Sequence, residues 1–425
     1  MIGLSLALPW SGCEYIHQKE QAMRSVETDK LLDQAQKLAK KIQPQLMQHE
    51  ALLQPTNTSN SLYLHPLAEK IQLDGYHDDW VIELNDGLKY TNQLSSNQPP
   101  EQNMTILAGL NNSYLYLFIQ LTNEMTIYSS LQPEEYSADH IVLDITHHPL
   151  AGRYFLQVTA PGRFEAFTKT QDQQDNTQYI HTTGIQGYWQ DTATGYNVEL
   201  RLPRPEAKTG LGFTALDYSY SAEKEIILVG QYGNQLSELP STVDLIKRSP
   251  FLQSLLDQSH ITASRVYILN PDGWILASKH SKALNSAPQD RSQLNQTLFD
   301  ILSQIYMFVS NLRDPPATTT DSSSGRIISH TVKTAARKAP VTSWYKRQGS
   351  NQAVISIAYP VQDSSAAVAA IIIMEQNNSA FMSLQNPDFL RNIAYSLLMI
   401  IILSLLLFIY TWKLTRQLLS SDHLQ

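Results

Sequence analysis

Residues 114–121 read YLYLFIQL, a run from Tyr114 to Leu121 that carries no charge, no proline and no glycine. Its length and aromatic bias predict a buried β-strand. Working outward, Ile141–Ile145, Tyr154–Thr159, Phe164–Phe167, Tyr196–Leu202 and Gly212–Tyr218 have the same character. Turn residues fall between them at Asn111-Asn112, Pro161-Gly162 and Thr194-Gly195, where φ is least constrained or the side chain bonds its own backbone. Strands at this spacing predict an antiparallel β-sandwich, two sheets packed face to face.

Upstream of the strands the pattern is helical. Leu31, Leu32, Ala35, Leu38, Ala39 and Ile42 recur at three- and four-residue spacing, and Pro44 and Pro55 bracket the end. Residues 13–55 are expected to form an amphipathic stalk helix, packed on a neighbouring domain or paired across a homodimer. Residues 1–12 are apolar but too short to span a bilayer, and are expected to be the remnant of a first transmembrane segment. A lipoprotein signal ending at Cys13 is the rival reading, but the stretch before it lacks the aliphatic residue such signals place three positions upstream. The spacer PTNTSNS marks a boundary near residue 60.

At the other end, Ile393 to Trp412 is an uncharged run with Tyr395, Tyr410 and Trp412 near its ends and Lys413 and Arg416 beyond. Twenty such residues at about 1.5 Å each match a bilayer core of roughly 30 Å, so the run reads as a transmembrane helix. The basic flank assigns residues 413–425 to the cytoplasm and the bulk of the chain to the periplasmic side of an inner membrane.

Between these lies a second unit, expected over residues 240–380. Val243, Ile246, Leu252, Leu255 and Leu256 suggest a helical start. Arg265 to Ser278 reads as strand, Asn-Pro-Asp-Gly turn, strand, with Gly273 supplying the positive φ that the turn needs. Ala353 to Pro360 and Ala366 to Gln376 form a second pair, with an apolar helix at Leu294 to Val309 and a polar loop at Arg313 to Arg326 before them.

Chemistry-bearing motifs are sparse. The net charge of -8 and the lack of a basic patch interleaved with aromatics argue against nucleic acid as a partner. The single cysteine excludes an internal disulfide. No HExxH, CxxC, GxSxG or P-loop pattern occurs, so hydrolytic and nucleotide chemistry have no anchor and no cofactor is expected. His147-His148 are adjacent on an extended segment and cannot readily face one ion, so they read as a surface turn. Asp78, Asp79, Asp139 and Asp144 lack the density of a calcium loop and read as turn carboxylates.

Ile71-Gln72-Leu73-Asp74-Gly75 followed by Asp78-Asp79-Trp80 resembles the opening of family 9-like carbohydrate-binding domains. Ala138 to Asp144, Gly187-Tyr188-Trp189 and Tyr196 to Pro203 fall in that family's order, and the resemblance covers residues 61–222. It implies a sugar site built on exposed aromatic faces, for which Trp80 and Trp189 are the candidates, although both stand where the fold would use a core anchor. The second unit resembles extracytoplasmic Cache or PDC sensor domains, in which Tyr359-Pro360-Val361 and Ile371 to Glu375 match the closing strands; Tyr267, Trp274 and Tyr359 are its candidate ligand-binding aromatics.

The whole order resembles the sensor half of the proteobacterial dedicated sortase system histidine kinase. That resemblance implies an α+β multidomain membrane protein: N-terminal helix, antiparallel β-sandwich, PAS/Cache-like α/β sensor domain and C-terminal transmembrane helix. It also implies a homodimer in the membrane, an envelope ligand such as a glycan, and a cytoplasmic kinase module and response regulator as partners. Residues 413–425 hold only the start of a HAMP-like linker, so catalytic residues are expected to be absent from this chain. The alternative is a membrane-tethered carbohydrate-binding module without a signalling role.

Overall fold

The computed structural model describes residues 2–46, 61–67, 71–91, 103–123, 125–129, 138–171, 177–206, 208–218, 226–230, 242–281, 317–318, 324–347 and 352–379, with scattered positions between 395 and 413. Among these residues strands dominate, and three α-helices accompany them. The chain is therefore mostly β, which corrects the α+β expectation.

The first body is a closed ring of ten strands. In chain order its members are β1 (Ser61–Pro66), β3 (Asn103–Leu110), β4 (Tyr114–Thr122), β5 (His140–Thr146), β6 (Gly152–Leu156), β7 (Gly162–Gln171), β8 (Thr177–Thr192), β9 (Gly195–Pro203), β10 (Gly210–Tyr218) and β12 (Val243–Lys247). Around the ring they run β1-β12-β10-β5-β6-β7-β8-β9-β4-β3, and β3 returns to β1 through His65–Gly109 and Pro66–Leu110. β2 (Leu88–Thr91) and β11 (Ile226–Gly230) pair outside this path, with β3 and β10. The expected two-sheet sandwich is thus a continuous barrel, thinnest where β6 and β7 share only Phe155–Phe167. Closure leaves no free edge within the ring.

Alternation along the strands explains the core. Leu115, Leu117, Ile119 and Leu121 of β4 point inward to meet Val198, Leu200 and Leu202 of β9 and Ile141, Leu143 and Ile145 of β5. Val243 also faces this core, so Val243 and Ile246 lie on strand β12, not on the helix expected there; the helix is α2, Pro250–Asp257, capped by Ser249. β12 runs parallel to β1, and the chain passes from barrel to second body at Arg248-Ser249, between β12 and α2.

The second body is a six-stranded sheet, ordered β14 (Ile275–His280), β13 (Arg265–Leu269), β18 (Val368–Ser379), β17 (Gln352–Gln362), β16 (Val341–Arg347), β15 (Ala317–Thr318). The hairpin turn forms as predicted: Gly273 has φ +92° and Asn270 Oδ1 accepts from the amides of Asp272 and Trp274. One face carries Val266, Ile268, Ile355, Ile357 and Ile372 and is covered by α1 (Ile2–Leu46) through Leu31, Ala35, Leu38 and Ile42. The helix thus buries its apolar stripe on a neighbouring domain, one of the two packings its pattern allowed, and runs continuously from Ile2 through the residues expected to be a span remnant. The opposite face, with Tyr267, Leu269, Ile371 and Ile373, is shared by the helix His330–Ala335 and by Tyr63 and Ile246 of the barrel.

The expected C-terminal transmembrane helix is not supported either. Among the described residues no helix is long and apolar enough to cross a membrane. The described positions between 395 and 413 are helical and exposed, while the rest of Ile393 to Trp412, the Leu294 to Val309 helix and residues 414–425 lie outside the described residues.

Candidate functional site

The aromatic rings chosen from the sequence are walls and fillings, not platforms. Trp80 is 5% exposed and Trp189 is fully buried, stacked at 4.1 Å on Tyr196 inside the barrel. Tyr267 and Trp274 are buried in the second body, Trp274 stacked on Tyr63 of β1 with ring centroids 5.9 Å apart, and Tyr359 is partly buried against the α1 face. The structure does not bring the five together, and burial of Trp80, Trp189, Tyr267 and Trp274 removes the ring faces that sugar stacking requires.

The motif Ile71 to Trp80 has a different task, set by Glu199. This carboxylate points outward from β9 and is fully buried under the 71–80 segment. Its Oε1 accepts from Trp80 Nε1 at 2.8 Å, and its Oε2 accepts from the amides of Asp74 at 2.9 Å and Gly75 at 3.0 Å. Burial pushes the Glu199 carboxyl up to about 7, against the pull of these three donors. Asn197, two residues earlier on the same face, donates to the carbonyl of Gly75 at 3.1 Å. Gly75 itself has φ +79°, and a Cβ there would stand 2.5 Å from Gln190 Cβ, so only glycine permits the close approach. Beneath, Ile71, Trp80 and Ile82 pack on Leu107, Tyr116 and Phe118.

The strand register shows what this clamp covers and what it leaves open. Tyr188–Glu199 and Gln190–Asn197 are the cross-strand pairs under the segment. The next pair outward continues across three strands as Glu165 (β7), Gln186 (β8) and Arg201 (β9). These side chains share one face and stay uncovered. The result is a cleft of about 700 Å³ with Ile71, Gln72 and Leu73 along one side and Arg163, Glu165, Gln186 and Arg201 across its floor. Arg201 is held in place: Nη2 donates to Gln186 Oε1 at 2.9 Å, and the guanidinium lies 5.0 Å over the ring of Tyr114, itself 37% exposed.

The site residues missed from the sequence are therefore Arg163, Glu165, Gln186 and Arg201, with Tyr114 of β4 supporting Arg201 from outside the cleft. Each sits at an outward position of its strand, and the signal available was the run of polar residues at period two on β7, β8 and β9. Which strands lie side by side was not available, and without it the three residues of the row are unrelated.

Of the four carboxylates weighed for metal, Asp78 is exposed and the other three are otherwise engaged. Asp79 accepts from the Gln72 amide, and Asp144 pairs with Arg153 at 2.9 Å. Asp139 is buried, accepts from the amides of Tyr218 and Ile127 and from Asn123 Nδ2, and is pushed up to about 7 by burial and by neighbouring Asp217. His148 Nδ1 accepts from the Leu150 amide, closing the turn expected there. Among the described residues no group of three or more His, Cys, Asp or Glu side chains could hold a metal ion.

No family model and no curated protein matches the chain. Solved structures similar to part of it include two of a family 9 carbohydrate-binding module from Caldicellulosiruptor kristjanssonii, in complex with glucose (12% identity) and with cellotriose (13% identity). Each covers 45% of this chain, and 97% and 95% of the module respectively, at a TM-score of 0.30. This is a weak structural similarity, and the functional conclusion rests on the cleft itself.

Proposed function

We propose that the barrel is a carbohydrate-binding module and that the cleft between Ile71–Leu73 and the Glu165–Gln186–Arg201 row is where a saccharide binds. The observation that supports this is the composition of the cleft: the partly exposed apolar side chain of Leu73 beside amide, carboxylate and guanidinium groups arranged in one line. Sugars present the same combination, apolar C–H faces with a rim of hydroxyls that both donate and accept. Gln72 and Gln186 can do both, Glu165 accepts and the arginines donate. The volume is in the range of small-molecule sites and suits one or two sugar rings. No reaction is assigned to it; the role is recognition, at an envelope or extracellular surface.

The test is calorimetric titration of the intact chain with a panel of cello-, xylo-, manno- and uronic oligosaccharides. Binding to at least one, weakened about tenfold or more by Arg201→Ala with unchanged thermal unfolding, is the expected result. Failure of every panel member to bind overturns the proposal, as does binding untouched by Arg201→Ala and Gln186→Ala together.

A further inference from the structure

The cleft treats its two kinds of charge unequally. Along the row, Glu165 and Arg201 lie on strands two apart, so their backbones are separated by roughly 10 Å. Gln186 stands between them, where a carboxylate would have neutralised the guanidinium. The two contacts of Arg201 on this face, Gln186 Oε1 and the Tyr114 ring, fix its direction without placing a carboxylate in direct contact among the described residues, and it is partly buried. Arg163, two residues from Glu165 on the same face of β7, adds a second guanidinium to the cleft. Among the described residues, the ion pairs recorded involve neither arginine. A chain of net charge -8 thus turns two arginines and one carboxylate into a single concave face.

From this we propose that the preferred ligand is an acidic saccharide, a uronate or similarly anionic sugar, whose carboxylate is taken by Arg201. This deepens the carbohydrate-binding reading and rests on it. A guanidinium oriented by an amide keeps most of its five N–H donors, and the planar fork matches a carboxylate with two parallel hydrogen bonds. The Tyr114 ring holds the plane of that fork without consuming a donor. Glu165, at the far end of the row, accepts from ring hydroxyls and offsets the charge of Arg163 two residues away on the same face, so an acidic group is expected at the Arg201 end of the ligand only.

Intact chain is titrated with oligogalacturonate, oligoalginate and hyaluronan fragments, each beside its carboxyl-reduced, neutral counterpart. The expected result is that at least one acidic form binds about tenfold or more tightly than its reduced form. That preference falls with added salt, is abolished in Arg201→Gln and grows in Glu165→Gln. Equal binding of acidic and reduced forms overturns this inference and leaves the carbohydrate-binding reading standing. Binding of neither form of any saccharide, in this set or in the broader panel, overturns both. If Arg201→Gln lowers thermal stability, Glu165→Gln decides alone: a preference that does not grow counts against the inference.

Discussion

Replacing Glu199 with glutamine changes one atom and asks whether burial or hydrogen bonding governs the clamp. The native side chain accepts three N–H groups, one on Oε1 and two on Oε2. With the amide oxygen at the Oε2 position, both backbone donors stay satisfied and the new NH2 group faces Trp80 Nε1–H, leaving a buried donor unpaired at a cost of about 1–3 kcal/mol. The pH dependence runs the other way. Since burial raises the carboxyl from 4.5 to about 7, the folded chain holds a proton between those values that the unfolded chain has released. Native stability from this group therefore falls as pH rises from about 4.5 to 7 and levels off above, by at most roughly 3.5 kcal/mol at about 1.4 kcal/mol per tenfold change in proton activity. Glutamine has no such titration. Urea unfolding followed by tryptophan fluorescence at pH 4.5 and pH 8 is expected to show Glu199→Gln destabilising at the lower pH, with that cost shrinking or reversing at the higher. A cost that grows with pH would refute the reasoning, because it would mean that the three donors keep the carboxylate ionised despite burial.

Other outcomes follow from the same geometry. Gly75→Ala is expected to cost about 1–3 kcal/mol in unfolding free energy, because φ +79° and a 2.5 Å approach to Gln190 Cβ both penalise a side chain, and to weaken saccharide binding by moving the cleft wall. Tyr63→Phe keeps the stack on Trp274 but removes the hydroxyl bonds to the Ile275 carbonyl (2.9 Å) and Arg248 Nε (3.2 Å); calorimetry should show a loss of about 1–2 kcal/mol. Asp217→Asn removes a neighbouring charge, so the midpoint of Asp139 followed by NMR is expected to drop below its native value of about 7. Native stability contributed by Asp139 falls between pH 3.8 and about 7, and in the variant that decline ends at a lower pH.

Particular residues show what was legible in the sequence. Tyr114 to Leu121, Tyr196 to Leu202 and Gly212 to Tyr218 announced strands because both their faces are covered, leaving long runs of apolar and aromatic residues, and β4, β9 and β10 match them closely. The Asn270-Gly273 turn was legible because its conformation is local. β8 was not: Thr177–Thr192 is polar and holds two glycines, since much of it faces water or the clamp, and its strand character comes from pairing with β7 and β9. Val243 and Ile246 fit a helical stripe and a strand equally well over so short a span, and pairing with β1 and β10 decided between them. Closure of the ring was invisible for the same reason, as it depends on two residue pairs between β1 and β3.

The candidate site was legible only at its rim. Trp80 and Glu199 belong to the motif that suggested sugar binding, yet they hold the segment down and touch no open space. Residues chosen for chemistry alone, the tryptophans, were drawn into the core by the same apolar area that made them attractive as platforms. The row Glu165–Gln186–Arg201 exists only in the register of three strands.

Hydrogen exchange of the intact chain, free and saturated with the tightest-binding oligosaccharide of the panel, tests the central claim most directly. Protection is expected in peptides spanning Ile71–Leu73, Arg163–Glu165, Gln186–Gly187 and Arg201, the elements that border the cleft. Protection confined to the second sheet, or to barrel surfaces away from β7, β8 and β9, would contradict it.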